Sequence, residues 1–169
     1  MGGKVIVFDT SILCVWLQVP GKESCGATTD PWDFKRVADL IQKEEKAGST
    51  FVLPMAAIIE TGNHISQCSG DRYQLAGKLA DLMRKTALHS SPWAAFTAES
   101  SLCVAHRLAA LADTWPKLAS QKLSLGDTTI KEVADYYAKS GYAVDILTGD
   151  KGLKSLQPTP MPRRRAGSQ

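Results

Sequence analysis

Apolar residues along this chain follow two rhythms: short unbroken runs, and longer stretches repeating at helical spacing. Val5-Ile6-Val7-Phe8 is too short and too β-branched for a helix, and predicts a buried strand over 4–8. Phe51-Val52-Leu53 predicts a second strand and residues 143–148 a third. Residues 10–19 begin a helix or turn, Pro20-Gly21 break the chain, and 22–29 read as loop. Asp30-Pro31-Trp32-Asp33 predicts a helix start, with Asp30 as cap and Pro31 at the first helical position. Phe34, Val37, Ala38 and Ile41 give that helix one face, and Lys43, Lys46 and Gly48 mark its end. Pro54 permits a helix through about Ser66. Asp71 opens another, with Leu75, Ala76, Leu79, Leu82 and Met83 as its stripe. Pro92 interrupts, and Trp93 to Phe96 is a candidate short strand. Thr97-Ala98-Glu99-Ser100 starts a helix with Leu102, Ala105, Leu108, Ala109 and Ala112 on one side. Residues 113–123, with Trp115-Pro116, read as a connection. The last helix runs from Asp127 to Lys139 with Ile130, Val133, Ala134 and Tyr137 inward, and Gly141 caps it.

Short apolar strands alternating with helices predict an α/β fold with a mainly parallel sheet covered on both faces. The 169 residues suit a single domain. That domain is expected over 1–156. Residues 157–169, rich in proline and arginine, are expected to form a peripheral tail. The net charge of +3 is too small to demand a polyanion partner. Arg163, Arg164 and Arg165 cluster in the tail, while Lys151 and Lys154 flank Asp150. Each group is either solvated or a phosphate contact. Cys14, Cys25, Cys68 and Cys103 are scattered without zinc spacing. No secretory segment and no run of about 18 apolar residues is found, so a cytoplasmic protein with no membrane span is expected.

Four carboxylates change the picture. Asp9 ends the first apolar run, Glu60 follows Pro54 by six residues, Asp127 opens a helix, and Asp150 follows the last strand. Open α/β sheets bind ligands beyond the carboxyl ends of their strands. Four acids gathered there repel one another unless cations are bound, and oxygen ligands suit Mg²⁺ or Mn²⁺. Each acid also has a plainer reading: Asp9 and Asp127 as helix caps, Asp150 as a turn residue, Glu60 as an exposed helix carboxylate. Thr10 and Ser11 either orient the Asp9 carboxylate or cap the helix that follows it, and Thr148 is a candidate hydroxyl partner at the site. Asp81, Glu132, Asp135 and Asp145 fall away from the proposed edge and are assigned to solvent or local pairing. His64, His89 and His106 make no metal pattern, although His64 lies one helical turn from Glu60. The four tryptophans suit packing or base stacking.

Four segments together resemble the PIN-domain nucleases. They are Val-Ile-Val-Phe-Asp9-Thr10-Ser11, Pro54-x-x-x-Ile58-Ile59-Glu60, Leu125-Gly126-Asp127-x-x-Ile130 and Leu147-Thr148-Gly149-Asp150-x-Gly-Leu153. The resemblance runs from about residue 4 to residue 156. It implies a three-layer α/β/α sandwich with a parallel sheet, and a Mg²⁺ or Mn²⁺ site formed by Asp9, Glu60, Asp127 and Asp150. It also implies hydrolysis of phosphodiester bonds, most often in RNA. Many compact members are toxins of bacterial toxin–antitoxin pairs, which makes an antitoxin protein or a homodimer a candidate partner. The segments before the second strand and between Asp71 and Lys122 are longer than in the shortest members, and prolines 158, 160 and 162 argue against a final central strand.

Two other readings compete. Haloacid-dehalogenase-like phosphatases also place an aspartate after the first strand, but carry a second Asp two residues later, where Ser11 stands here. A non-catalytic RNA- or protein-binding module on the same fold would not be expected to keep four acids.

Overall fold

The computed structural model describes residues 3–94 and 105–159. Its centre is a parallel three-stranded sheet of β1 (Lys4–Phe8), β4 (Thr50–Val52) and β5 (Ala143–Leu147), in the order β4-β1-β5. Val5 pairs with Thr50 on one side of β1 and with Val144 on the other. The chain moves from β1 to one neighbour and later to the other, so the order reverses beside β1 and opens a crevice there. Val5, Ile6, Val7 and Phe8 are all buried, which explains an unbroken apolar run where a one-sided strand would alternate.

Around this sheet lie α1 (Thr10–Leu17), α2 (Phe34–Lys46), α3 (Met55–Gln67), α4 (Arg72–Ala87), α5 (Ala105–Ala119), α6 (Leu125–Lys139) and the short α7 (Lys151–Ser155). The arrangement is compatible with a three-layer α/β/α sandwich. Phe8, Trp16, Phe51 and Trp93 form an aromatic cluster, with Phe8 5.5 Å from both Phe51 and Trp93 between ring centres. Packing therefore accounts for Trp16 and Trp93. At the far end of the sheet Glu44, buried on α2, accepts from Lys4 Nζ at 2.5 Å and from Ser49 Oγ at 2.6 Å. Burial alone would raise this carboxyl. The hydrogen bonds from Lys4 and Ser49, with the charges of Lys4 and Lys43, outweigh it and hold Glu44 below its ordinary value.

Several expectations need correction. Residues 30–33 are not a helix start. They form β3 (Asp30–Asp33), paired antiparallel with β2 (Ser24–Ala27) inside the stretch expected to be loop. The cap of α2 is Asp33, which accepts from Arg36 N at 2.8 Å. Similarly, α6 begins at Leu125, capped by Ser124. The expected connection over 113–123 is helical as far as Ala119, with Pro116 inside α5. Leu108 is exposed and Leu111 buried, so the inward face of α5 is not the expected one. The larger Leu111, Trp115 and Leu118 share that face at helical spacing, and bulk outweighs the alanine-rich stripe. On α4, Leu75, Leu79, Leu82 and Thr86 face inward, whereas Ala76 and Met83 are exposed. The candidate strand at Trp93 is an isolated bridge to Phe51, and residues 95–104 lie outside the described residues. Gln157 does not behave as peripheral tail. Its side-chain Oε1 accepts from Ile146 N at 2.8 Å and its Nε2 donates to the Val144 carbonyl, so one amide pairs with β5 as a neighbouring strand would. Arg163, Arg164 and Arg165 lie outside the described residues.

Candidate functional site

Asp9 stands where β1 ends and α1 begins, at the crevice between β1 and β5. It is 4% exposed. Its Oδ1 accepts from Thr10 N at 2.6 Å; its Oδ2 accepts from Ser11 Oγ at 2.6 Å, Thr148 Oγ1 at 2.8 Å and Ser11 N at 3.3 Å. The cap and site readings of this residue are therefore compatible. Burial pushes the Asp9 carboxyl above its ordinary value even against these donors. Each hydroxyl that donates to Asp9 accepts in turn: Ser11 Oγ from Gly149 N at 3.1 Å, and Thr148 Oγ1 from Asp150 N at 2.9 Å. Asp9 is thereby tied to the loop after β5. The third hydroxyl goes elsewhere, since Thr10 Oγ1 donates to Glu60 Oε2 at 2.9 Å.

The other acids approach from separate helices. Glu60 reaches from α3 and lies against Gly126, where a β-carbon would stand 2.2 Å from its Oε1. Asp127 closes a capping box: its Oδ2 accepts from Ser124 N at 2.9 Å, while Ser124 Oγ accepts from Asp127 N at 3.0 Å. Asp150 caps α7 through Oδ1, which accepts from Leu153 N at 2.8 Å. All four acids line one open cavity of about 390 Å³. Three of them are held at helix N-termini, whose positive ends offset part of their mutual repulsion.

Both oxygens of Asp9 already accept hydrogen bonds, whereas Glu60, Asp127 and Asp150 each use one oxygen for structure and leave the other without a donor among the described residues. Among the described residues Glu60 Oε1, Asp127 Oδ1 and Asp150 Oδ2 accept no hydrogen bond, and none of the four acids forms an ion pair. Of the acids assigned away from the edge, three differ, and Glu132 forms no ion pair among the described residues. Asp145 pairs with Lys154 at 2.5 Å, Asp81 with Arg84 at 2.6 Å, and Asp135 with Lys131. Lys154 also donates to the Ile146 carbonyl, so its ammonium is engaged within the fold, whereas Lys151 is exposed.

The cavity holds residues that the sequence reading did not assign to it. Lys22 and Cys25 enter from the β2–β3 region, and Cys14 from α1. His64, named earlier only as a neighbour of Glu60, also lines it. Burial pushes the Cys14 thiol up to about 11 and raises that of Cys25, so neither offers a thiolate at neutral pH. Carboxylate oxygens dominate the donor set, with the His64 imidazole beside them, and such a set suits a hard cation. Among the described residues no three acids, histidines or cysteines close around one point as a ready ligand set. The donor chemistry fits Mg²⁺ or Mn²⁺, and Mg²⁺ ordinarily keeps several waters and takes one or two carboxylates directly. No helix among the described residues is long and apolar enough to cross a membrane. Comparison with protein-family models, curated proteins and solved structures finds no match.

Proposed function

We propose that this chain is a metal-dependent endoribonuclease of the PIN type, hydrolysing phosphodiester bonds in RNA. One observation carries the reading: four carboxylates from four separate elements line one cavity with a single lysine, Lys22, and among the described residues none of the four forms an ion pair. Such a cluster costs stability and is explained by a cation that it is built to hold. Asp9, Glu60, Asp127 and Asp150 would hold Mg²⁺ or Mn²⁺, directly or through water. When bound, the ion neutralises the phosphodiester anion, activates water and stabilises the leaving oxygen. The chain's own part is positional. Ser11 and Thr148 orient Asp9, Thr10 orients Glu60, and the helix caps keep Asp127 and Asp150 turned inward.

The phosphatase alternative requires Asp9 as a nucleophile. Its carboxylate is buried and accepts four hydrogen bonds, which weakens that chemistry. A module that only binds RNA or protein leaves the clustered acids without a purpose.

Asp127→Asn and Asp150→Asn give the cleanest test, because each asparagine can keep its capping oxygen while losing the charge. Partners of metal ligands are worth about 10- to 100-fold when removed, so losses at least this large are expected in single-stranded RNA cleavage with Mg²⁺ or Mn²⁺. Cleavage that survives both substitutions, or that persists in EDTA, would sink the proposal. A toxin role in a toxin–antitoxin pair has its own readout: expression in the bacterial cytoplasm arrests growth, and the Asp150→Asn chain does not.

A further inference from the structure

A second groove of about 410 Å³ lies beside the acidic cavity, and Asp150 lines both. Its chemistry is different. Trp32 on β3, Arg36 on α2 and Lys151 on α7 line it against the wall made by β2 and β3, together with Asp30 and Asp145, which pair with Arg36 and Lys154. Arg36 is clamped: its Nη1 donates to Asp30 Oδ1 at 2.6 Å and to the Pro31 carbonyl at 2.9 Å, and its guanidinium carbon stands 3.9 Å from the centre of the Trp32 ring. The Arg36 side chain nevertheless keeps 39% of its surface exposed. The ion pair and the ring contact hold Arg36 in place on the wall while part of it stays open to the groove. The wall is also anchored. A β-carbon on Gly149 would meet Cys25 Sγ at 2.5 Å and Gly26 N at 2.8 Å, so the hairpin touches the very loop that carries Asp150.

A cation held over an aromatic ring, an exposed ammonium and room for a ligand of nucleotide size occur together next to the acids. We propose that this groove is a nucleotide subsite for single-stranded RNA. It takes the nucleotide flanking the scissile phosphate, with the base against the Arg36–Trp32 pair and the adjoining phosphate at Lys151. Bases stack on arginine planes and aromatic rings without strong sequence preference, so the subsite favours a strand over a small diester and discriminates weakly among bases. The proposal rests on the nuclease reading and names where its substrate lies.

The test compares two substrates of the full chain with Mn²⁺: a short single-stranded RNA, and bis(p-nitrophenyl) phosphate, which has no flanking nucleotide. Lys151→Gln and Trp32→Leu are expected to lower kcat/KM for the RNA by roughly 5- to 100-fold, chiefly through KM, and more than for the small diester. Trp32→Phe is expected to recover most of the loss. Equal losses on both substrates, or an unchanged KM for RNA, would overturn the subsite. If the unaltered chain cleaves neither substrate, the nuclease reading fails, and the groove is then decided by fluorescence anisotropy with the same RNA. Binding weakened by Lys151→Gln supports the subsite; binding indifferent to both substitutions overturns it. The exposed Lys151 keeps the result interpretable should Trp32→Leu loosen the hairpin.

Discussion

Asp9 keeps a carboxylate where water scarcely reaches, and both of its oxygens are committed to main-chain N–H groups. An asparagine there must turn an NH₂ toward one of those donors. The lost bond and stranded donor cost about 1–3 kcal/mol, against which the removed buried charge gives partial relief. Asp9→Asn is therefore expected to melt below Asp127→Asn and Asp150→Asn in EDTA, although all three lose cleavage. An equal or higher melting temperature for Asp9→Asn would show that charge relief dominates. Gly126 offers a subtler probe. Its missing side chain leaves room for Glu60, and a β-carbon would press on the flexible end of that glutamate. Gly126→Ala should leave stability within about 1 kcal/mol, since alanine suits a helix better. It should lower cleavage roughly 10- to 100-fold, and combining it with Glu60→Gln should add little, because both act through one carboxylate. Full additivity would separate the two residues. Asp9, Asp127 and Asp150 were legible because each ends a strand or opens a helix, whereas Glu60, in the middle of α3, was marked only by its spacing from Pro54. Lys22 and Cys25 were not, because their place depends on a tertiary approach that no local pattern encodes.

Among the elements, the hairpin shows where sequence reading fails physically. Asp30-Pro31 and Asp33 both carry helix-start chemistry, and capping preference cannot rank them. The contact that decides is remote: Gly149 admits Cys25 and Gly26 against the β5 loop. In Gly149→Ala a backbone nitrogen and a sulfur stand too close, and neither can move freely. We expect a loss of about 1–3 kcal/mol and faster proteolysis within 22–33, with the sheet intact by circular dichroism. An unchanged proteolysis pattern would mean that the hairpin does not depend on this glycine. The buried Glu44 makes a different demand. Its carboxyl is held below the ordinary value of 4.5 in the folded state, so it contributes stability above that pH. The contribution disappears as pH falls through the lowered value. Glu44→Gln should thus be less stable than the parent at pH 7, by a margin that shrinks as pH falls below 4.5, as read by urea midpoints. A constant difference across that range would remove the titration from the account.

On the scale of the whole molecule, the βα order and the parallel sheet followed from run length and spacing alone. Strand neighbours did not, because β1 pairs on both sides with strands distant in the chain. The Gln157 contact was not legible for a related reason: a glutamine gives no sequence sign that its side chain can pair with a strand. Cutting the chain after Leu156 would remove that pairing together with the arginines. Cutting after Thr159 separates them, and an RNA affinity with unchanged salt dependence after that cut would leave the arginines without a substrate role.

The Gln157 amide has a consequence for how copies of this chain meet. On one flank, Phe51 N donates to the Pro92 carbonyl and Ala94 N to the Phe51 carbonyl, so a length of main chain covers β4. On the other flank the Gln157 amide occupies Ile146 N and the Val144 carbonyl, with Lys154 Nζ on the Ile146 carbonyl. Unpaired strand groups are a template on which another chain can add. Gln157→Ala would expose that template while barely touching the core. The expected outcome is concentration-dependent self-association of a folded, still-active protein, visible by sedimentation. A variant that stays as monodisperse as its parent would show that the flank is guarded by something other than one amide.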